Sequence, residues 1–303
     1  MNNANMFHPG ELHYQRKTGV EQQVANFAPR LIMDNLDAQH QEFYPALPML
    51  FVGSVDKSGQ PWASVLAGDT GFIKILDENH VQVNSIPMSG DPLTKNLMHG
   101  GCLGFLGLEF ETRRRNRMSA TLEKINDNHF TVRVNQAFGN CPKYMQSRKI
   151  NRISVKTNPG MENVVRRIDV LDKDLHKLIS DADTFFISSY YSGGEQSGAD
   201  VSHRGGKPGF VKIKNEKTLG IEDYPGNNLF MTLGNLFSNP VAGLLFIDFS
   251  SGDTLQLACE VTVIETPNEK FARKIEFSLK YGWFIQSALS IDSEFLSYSR
   301  FLE

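Results

Sequence analysis

Short apolar runs alternate along this chain with clusters of Gly, Asn, Asp and Pro. Met49–Val55 (MLFVGSV), Thr184–Tyr190 (TFFISSY) and Val241–Phe249 are too short for buried helices and are rich in Val, Ile, Leu and Phe, as strands are. Arg117–Leu122 and Gln256–Val261 instead alternate polar with apolar residues, which marks strands buried on one face. Helical stretches are few and peripheral, at Asp37–Tyr44 and Asp172–Ser180. No strand opens into a glycine fingerprint followed by a long amphipathic helix, so a dinucleotide-binding α/β unit is disfavoured. The pattern predicts a mainly β chain.

The same order of signals occurs twice. Asn96–Phe110 (NLMHGGCLGFLGLEF) and Asn235–Phe249 (NLFSNPVAGLLFIDF) align without a gap at a constant offset of 139 residues. Upstream, each copy has a helical stretch, an apolar strand and a turn ending in Gly-x-Pro, at Gly59–Pro61 and Gly206–Pro208. Internal similarity of this kind predicts two copies of one unit. The expected division is an N-terminal arm and helix over 1–44, a first barrel over 45–150, a linker and helix over 151–180, and a second barrel with a C-terminal extension over 181–303. A length of 303 residues accommodates two such domains.

Composition narrows the classes of function. A net charge of −3 provides no basic field for nucleic acid or an anionic membrane surface, so any anion site must be local. Three dispersed cysteines, Cys102, Cys141 and Cys259, fit neither a disulfide framework nor a metal knuckle, and the histidines show no metal-ligand spacing. No secretory signal is visible, and the apolar runs fall short of a membrane helix. A cytoplasmic protein is expected.

Candidate chemistry concentrates in two places. Four arginines occupy Thr112–Arg117 (TRRRNR), at the point where an apolar strand gives way to an alternating one. On a strand, Arg113, Arg115 and Arg117 share one face, while Arg114 and Asn116 share the other. Three guanidinium groups together suit a phosphate; a solvated hairpin tip answered by Glu109 and Glu111 is the alternative. The second copy offers Ser202–Gly206 (SHRGG), Asp223–Asn228 (DYPGNN) and Thr232, where freed backbone amides and small polar side chains could hold a ligand. Cys141 beside Lys143 lacks a nearby base and reads as structural or pocket-lining. No residue stands out as a catalytic acid or base.

Taken together, Phe7–Glu11 (FHPGE), Gly90–Leu93 (GDPL), Glu111–Arg117, Phe138–Tyr144, Val201–Gly206 and Asp223–Asn228 resemble the flavin-nucleotide-binding relatives of pyridoxamine 5'-phosphate oxidase. The resemblance extends over most of the chain. It implies two tandem split β-barrels with short peripheral helices, binding FMN in a cleft between barrels. The implied cofactor-binding residues are Arg113, Arg114, Arg115, Arg117, Ser64 and Lys95 from the first copy. From the second they are His203, Arg204, Asp223, Asn227, Asn228 and Thr232. Ser64 stands where the oxidase has an arginine, and Leu93 and Thr232 stand where it has a phosphate-binding lysine, which argues against the vitamin B6 reaction itself. The resemblance therefore implies a flavin-dependent oxidoreductase acting on a small acceptor, with NAD(P)H or a small redox substrate as partner and a homodimer as assembly. The alternatives are a flavin-binding or storage protein without turnover and a partner-binding module that binds no ligand.

Overall fold

The structure is a computed structural model that describes residues 6–98, 101–155, 164–267 and 273–302. His99 and Gly100 of the first repeat segment, and residues 156–163 of the expected linker, lie outside the described residues. The chain is mainly β, with antiparallel sheets.

The first sheet contains β1 (Met49–Val55), β2 (Pro61–Ala67), β3 (Ile73–Ile75), β4 (His80–Val83), β5 (Cys102–Glu109), β6 (Arg114–Ile125) and β7 (Phe130–Gly139). Its strand order is β2-β1-β5-β6-β7-β4-β3. Two further strands, β8 (Ser147–Val155) and β9 (Val165–Ile168), occupy the stretch expected as linker. The second sheet contains β10 (Thr184–Tyr191), β11 (Gly198–Gly205), β12 (Lys212–Asn215), β13 (Thr218–Glu222), β14 (Val241–Ile247), β15 (Thr254–Glu265) and β16 (Arg273–Ile285). Its order, β11-β10-β14-β15-β16-β13-β12, repeats that of the first strand for strand, with β9 added on β16. Register repeats as well: Leu106 lies opposite Arg117 in one sheet and Leu245 opposite Gln256 in the other, both at the offset of 139 residues. β17 (Leu289–Ser297) returns to pair with β8 as a separate ribbon.

Alternation along the strands explains why their apolar runs are continuous. In β1, Leu50 and Val52 face the core of the first sheet, whereas Met49 and Phe51 face the other half. β10 does the same, with Phe185 and Ile187 in its own core and Phe186 between the halves. Both faces are buried, so polar alternation is lost, as in any strand covered on two sides. Phe51 and Phe186 stack at 3.6 Å between ring centroids where the halves meet. Gly104 and Gly243, matched in the two sequence copies, sit where the opposite half's backbone passes. A Cβ on Gly104 would lie 2.7 Å from the Ala199 carbonyl oxygen, and one on Gly243 would lie 2.3 Å from that of Pro61.

Helices cover the ends. α1 (Pro9–Lys17) and α2 (Glu21–Leu31) form the N-terminal arm; α3 (Ala38–Phe43) and α5 (Lys173–Asp181) precede the two sheets; α4 (Leu93–Asn96) and α6 (Met231–Ser238) precede β5 and β14. Asp37 and Asp172 are the N-caps of α3 and α5, each accepting a backbone N–H from three residues on. This is the use to which a helix start puts an aspartate. Among the described residues no helix is long and apolar enough to cross a membrane.

Candidate functional site

Met118, Ala120 and Leu122 of β6 point into the first core, so Arg115, Arg117 and Ser119 face the second half. There they meet β11, whose Asp200, Ser202 and Arg204 share a face. Ser119 lies against Gly198, Arg117 forms an ion pair with Asp200, and Arg115 and Arg204 are close enough to repel each other. Behind β11, Thr232 of α6 donates to Ser202 (3.2 Å), and Asn227 reaches Asn140 at the end of β7 (3.1 Å). The result is a seam with β6 and β7 on one side and β11, α6 and the loop before α6 on the other.

Its electrostatics are unbalanced. Burial lowers the pKa of Arg115 to about 10, with repulsion from Arg204 adding to the effect and Cys141 opposing it. Burial and the other two guanidiniums bring Arg117 down to about 9. Arg204 is lowered by burial, and its nearest compensating carboxylate, Asp223, is already held by Arg273 at 3.0 Å. The Arg115 Nε is buried without a hydrogen-bond partner. Among the described residues neither Arg115 nor Arg204 is in an ion pair. Arg204 donates to the His203 carbonyl (3.2 Å), a neutral partner that leaves its charge uncompensated; cations buried without a counter-charge are costly, and an entering anion relieves that cost. Burial and the surrounding arginines Arg115, Arg204 and Arg148 also hold the His203 imidazole well below its usual pKa, leaving it neutral. Just before α6, Asn228 and Phe230 adopt left-handed backbone at φ 64° and 61°, and α6 starts without a side-chain cap. Non-glycine residues in this region store strain of the kind found at binding sites, and the first helical amides remain free for a ligand.

Beside Arg117 this seam opens into a groove, a cavity of about 740 Å³ lined by His8, Glu11, Arg117, Ser119, Asp200 and Asn235 among others. His8 and Glu11 come from the N-terminal arm. His8 caps α1 by accepting the Gly10 amide on Nδ1 (3.2 Å), so its Nε2 carries the proton and donates to Asn235 Oδ1 (3.0 Å). Asn235 in turn donates to Ser189 (3.0 Å), and Asn96 makes the matching bond to Ser54 in the first half (3.1 Å). Glu11 completes the capping box, accepting the His8 amide on Oε2 (2.9 Å). Burial pushes the Glu11 carboxyl up to about 8, against the lowering effects of the His8 amide and Arg117, so it is largely protonated at neutral pH. Burial brings His8 down to about 4 despite its bond to Asn235.

The arm can reach this position because α1 crosses α6 at two glycines. A Cβ on Gly10 would lie 2.2 Å from the Gly234 carbonyl oxygen, and one on Gly234 would lie 2.6 Å from the Glu11 backbone nitrogen. Gly234→Ala is therefore expected to force the helices apart and to cost about 1–3 kcal/mol. A urea titration checks this, and unchanged stability would show that the crossing is slack.

Several sequence expectations need correction. Arg113 does not share a face with Arg115 and Arg117. It sits in the turn before β6 at φ 62° and donates to Met145 and Ser297 near the C-terminal ribbon. Arg114 is exposed, over the Phe43 ring and near Glu109. Asp223 is held by Arg273, and so serves the groove through Arg204. Ser64 is buried and donates to Asp91 (2.6 Å), while Lys95 lines a different cavity, so these two residues do not join the arginine groove. In the second half the positions of Arg115 and Arg117 are taken by the neutral Thr254 and Gln256, and Gln256 donates to Ala63 and Ser64 of β2. Two titratable residues that were not among the site candidates, His8 and Glu11, line the groove. Pro at N1 with Glu at N3 is a helix-start signal that could have located them.

No protein-family model matches this sequence, and no curated protein matches it. Solved structures similar to the chain include split-barrel proteins of the pyridoxamine 5'-phosphate oxidase family. A Clostridium acetobutylicum protein of the pyridoxinephosphate oxidase family, related to general stress protein 26 of B. subtilis, is 10% identical over 41% of this chain and 92% of its own, with a TM-score of 0.30. A candidate pyridoxamine 5'-phosphate oxidase from Lactobacillus delbrueckii is 18% identical over 35% of this chain and 95% of its own, at 0.28. The heme storage protein HutZ from Vibrio cholerae is 13% identical over 38% of this chain and 94% of its own, at 0.26.

Proposed function

We propose that this chain binds FMN in the groove between its halves and acts as a flavin-dependent oxidoreductase on a small acceptor. The observation that carries the reading is the uncompensated guanidinium cluster. Arg115 and Arg204 converge without carboxylate partners, and the buried Arg115 Nε lacks a hydrogen-bond partner. A dianionic phosphate fits this donor set, because planar guanidiniums bind its oxygens in pairs. Arg117, tied to Asp200, shapes the middle of the groove. Thr232, Asn227 and the free amides at the start of α6 add neutral donors on the facing wall.

When bound, the flavin supplies the redox chemistry. The chain contributes a wall of fixed cations and a buried carboxylic acid. Glu11 Oε2 is engaged by the His8 amide, so the remaining oxygen is the one able to present a proton to the cavity. A proton source beside the ligand favours turnover over storage.

Titration of the purified protein with FMN and with riboflavin, followed by flavin fluorescence, tests the reading. FMN is expected to bind in a saturable, salt-weakened manner and at least about tenfold more tightly than riboflavin, since one charged hydrogen bond contributes about 1.5–3 kcal/mol. Equal affinity for the two would remove the phosphate from the argument. Bleaching of the bound flavin by NAD(P)H separates a reductase from a storage protein.

A further inference from the structure

A second cavity, of about 1920 Å³, lies where β2 and the segment leading into α4 face β16. Both tryptophans of the chain line it, Trp62 on β2 and Trp283 on β16, together with Tyr281 and Met88. Asp56 accepts the Trp62 Nε1–H (3.1 Å), which fixes that indole, and Trp62 and Tyr281 lie 5.6 Å apart between ring centroids. The Arg167 guanidinium lies over Tyr281 at 4.8 Å and over Trp283 at 5.9 Å, holding both rings in place. Trp62 is itself buried behind this aromatic wall, and the partly exposed Tyr281 and Trp283 are already ordered, so a flat ring can stack on them at little entropic cost.

By strand order and register this cavity is the counterpart of the arginine groove, but its charge differs. At the positions of Arg115 and Arg117 the second half carries Thr254 and Gln256. Arg167 is paired with Asp169, and the cations of the lining itself are the exposed Lys57 and Lys95, neither of which is in an ion pair among the described residues. Of the three carboxylates of the lining, Asp56 is engaged by Trp62 and Ser58 and Asp91 by Ser64 and the Leu93 amide, while Asp69 is exposed to solvent, where its repulsion of an anion is screened. Solvated lysines contribute a weak, screened attraction for an anion, without the bidentate grip that a phosphate finds among arginines.

We infer that this cavity is a second ligand site, for a small aromatic acid whose ring stacks on the partly exposed Tyr281 and Trp283, backed by the buried Trp62, and whose carboxylate points to Lys57 and Lys95. It differs in ligand class from the groove and can be occupied independently of it.

Because both tryptophans line the cavity, intrinsic fluorescence reports on it directly. The probe is 2-naphthoate, titrated into the 303-residue chain without flavin, with isothermal calorimetry in parallel. Saturable binding is expected, at least tenfold weaker in Trp283→Ala, where Trp62 still reports, and in Tyr281→Leu, which retains apolar bulk if the first variant fails to fold. Lys57→Gln with Lys95→Gln should weaken 2-naphthoate severalfold and leave the uncharged 2-naphthol unchanged. Arg115→Ala with Arg204→Ala should leave naphthoate binding intact, whether or not FMN binds to the groove. No saturable signal or heat with folded protein, or naphthoate binding that is lost with the two arginines and not with the aromatic residues, would overturn the proposal.

Discussion

Replacing Arg115 and Arg204 together by alanine is expected to weaken FMN binding at least about a hundredfold while leaving the ligand-free protein as stable as before, or more stable. The two effects have one cause. In the free protein these half-buried guanidiniums repel each other and are in no ion pair, and the one carboxylate acting on Arg204, Asp223, is paired with Arg273, so removing them relieves an unfavourable term. In the complex each would make charged hydrogen bonds to the phosphate, together contributing about 3–6 kcal/mol. A structural role predicts the reverse sign for stability, since deleting cations that hold the fold together lowers the melting temperature. Thermal melts of the free variant alongside FMN titrations therefore separate the readings. A variant that melts earlier yet binds FMN normally would dismiss the groove as a cofactor site. Arg117 is a poor choice for this test, because its removal strands Asp200.

Much of the β architecture was legible in the sequence because its signals are local. The Asp37 and Asp172 caps, the apolar runs of β1 and β10, and the gapless match of β5 with β14 are each set by residues within one element. The faces of Arg115 and Arg117 also followed from strand alternation. Arg113 did not, because the strand begins one residue later and a left-handed turn sends its side chain towards Ser297. Docking of the N-terminal arm was hidden for a different reason. His8 meets Asn235 across 227 residues of sequence, through a helix crossing that depends on Gly10 and Gly234, and no local pattern encodes that pairing. Ser64 and Lys95 were placed with the arginines because strand order alone cannot tell which of two equivalent clefts a residue lines. The distinction depends on what the facing strand carries, Arg115 and Arg117 in one case and Thr254 and Gln256 in the other.

Glu11 predicts an unusual dependence of stability on pH. Its carboxyl is buried and raised from 4.5 to about 8, so between those values the folded state keeps a proton that the unfolded chain has released. Stability then falls as pH rises through that window, by about 1.4 kcal/mol per unit at most. His8 acts in the opposite direction: lowered from 6.5 to about 4, it is neutral when folded and protonated when unfolded, so its contribution rises with pH until about 6.5. The two slopes oppose each other below pH 6.5, and above it Glu11 acts without that opposition. Asp91, raised to about 6, has finished its own contribution by then. Wild-type protein is therefore expected to lose about 2 kcal/mol between pH 6.5 and 8.5 relative to Glu11→Gln. The glutamine keeps an oxygen to accept the His8 amide but has no proton to release, so the capping box survives and the slope disappears. Urea titrations of both proteins at pH 6.5, 7.5 and 8.5 measure the difference. Parallel stability curves for the two would show that Glu11 is ionised in the fold at neutral pH, and its role as the proton source of the groove would then have to be given up.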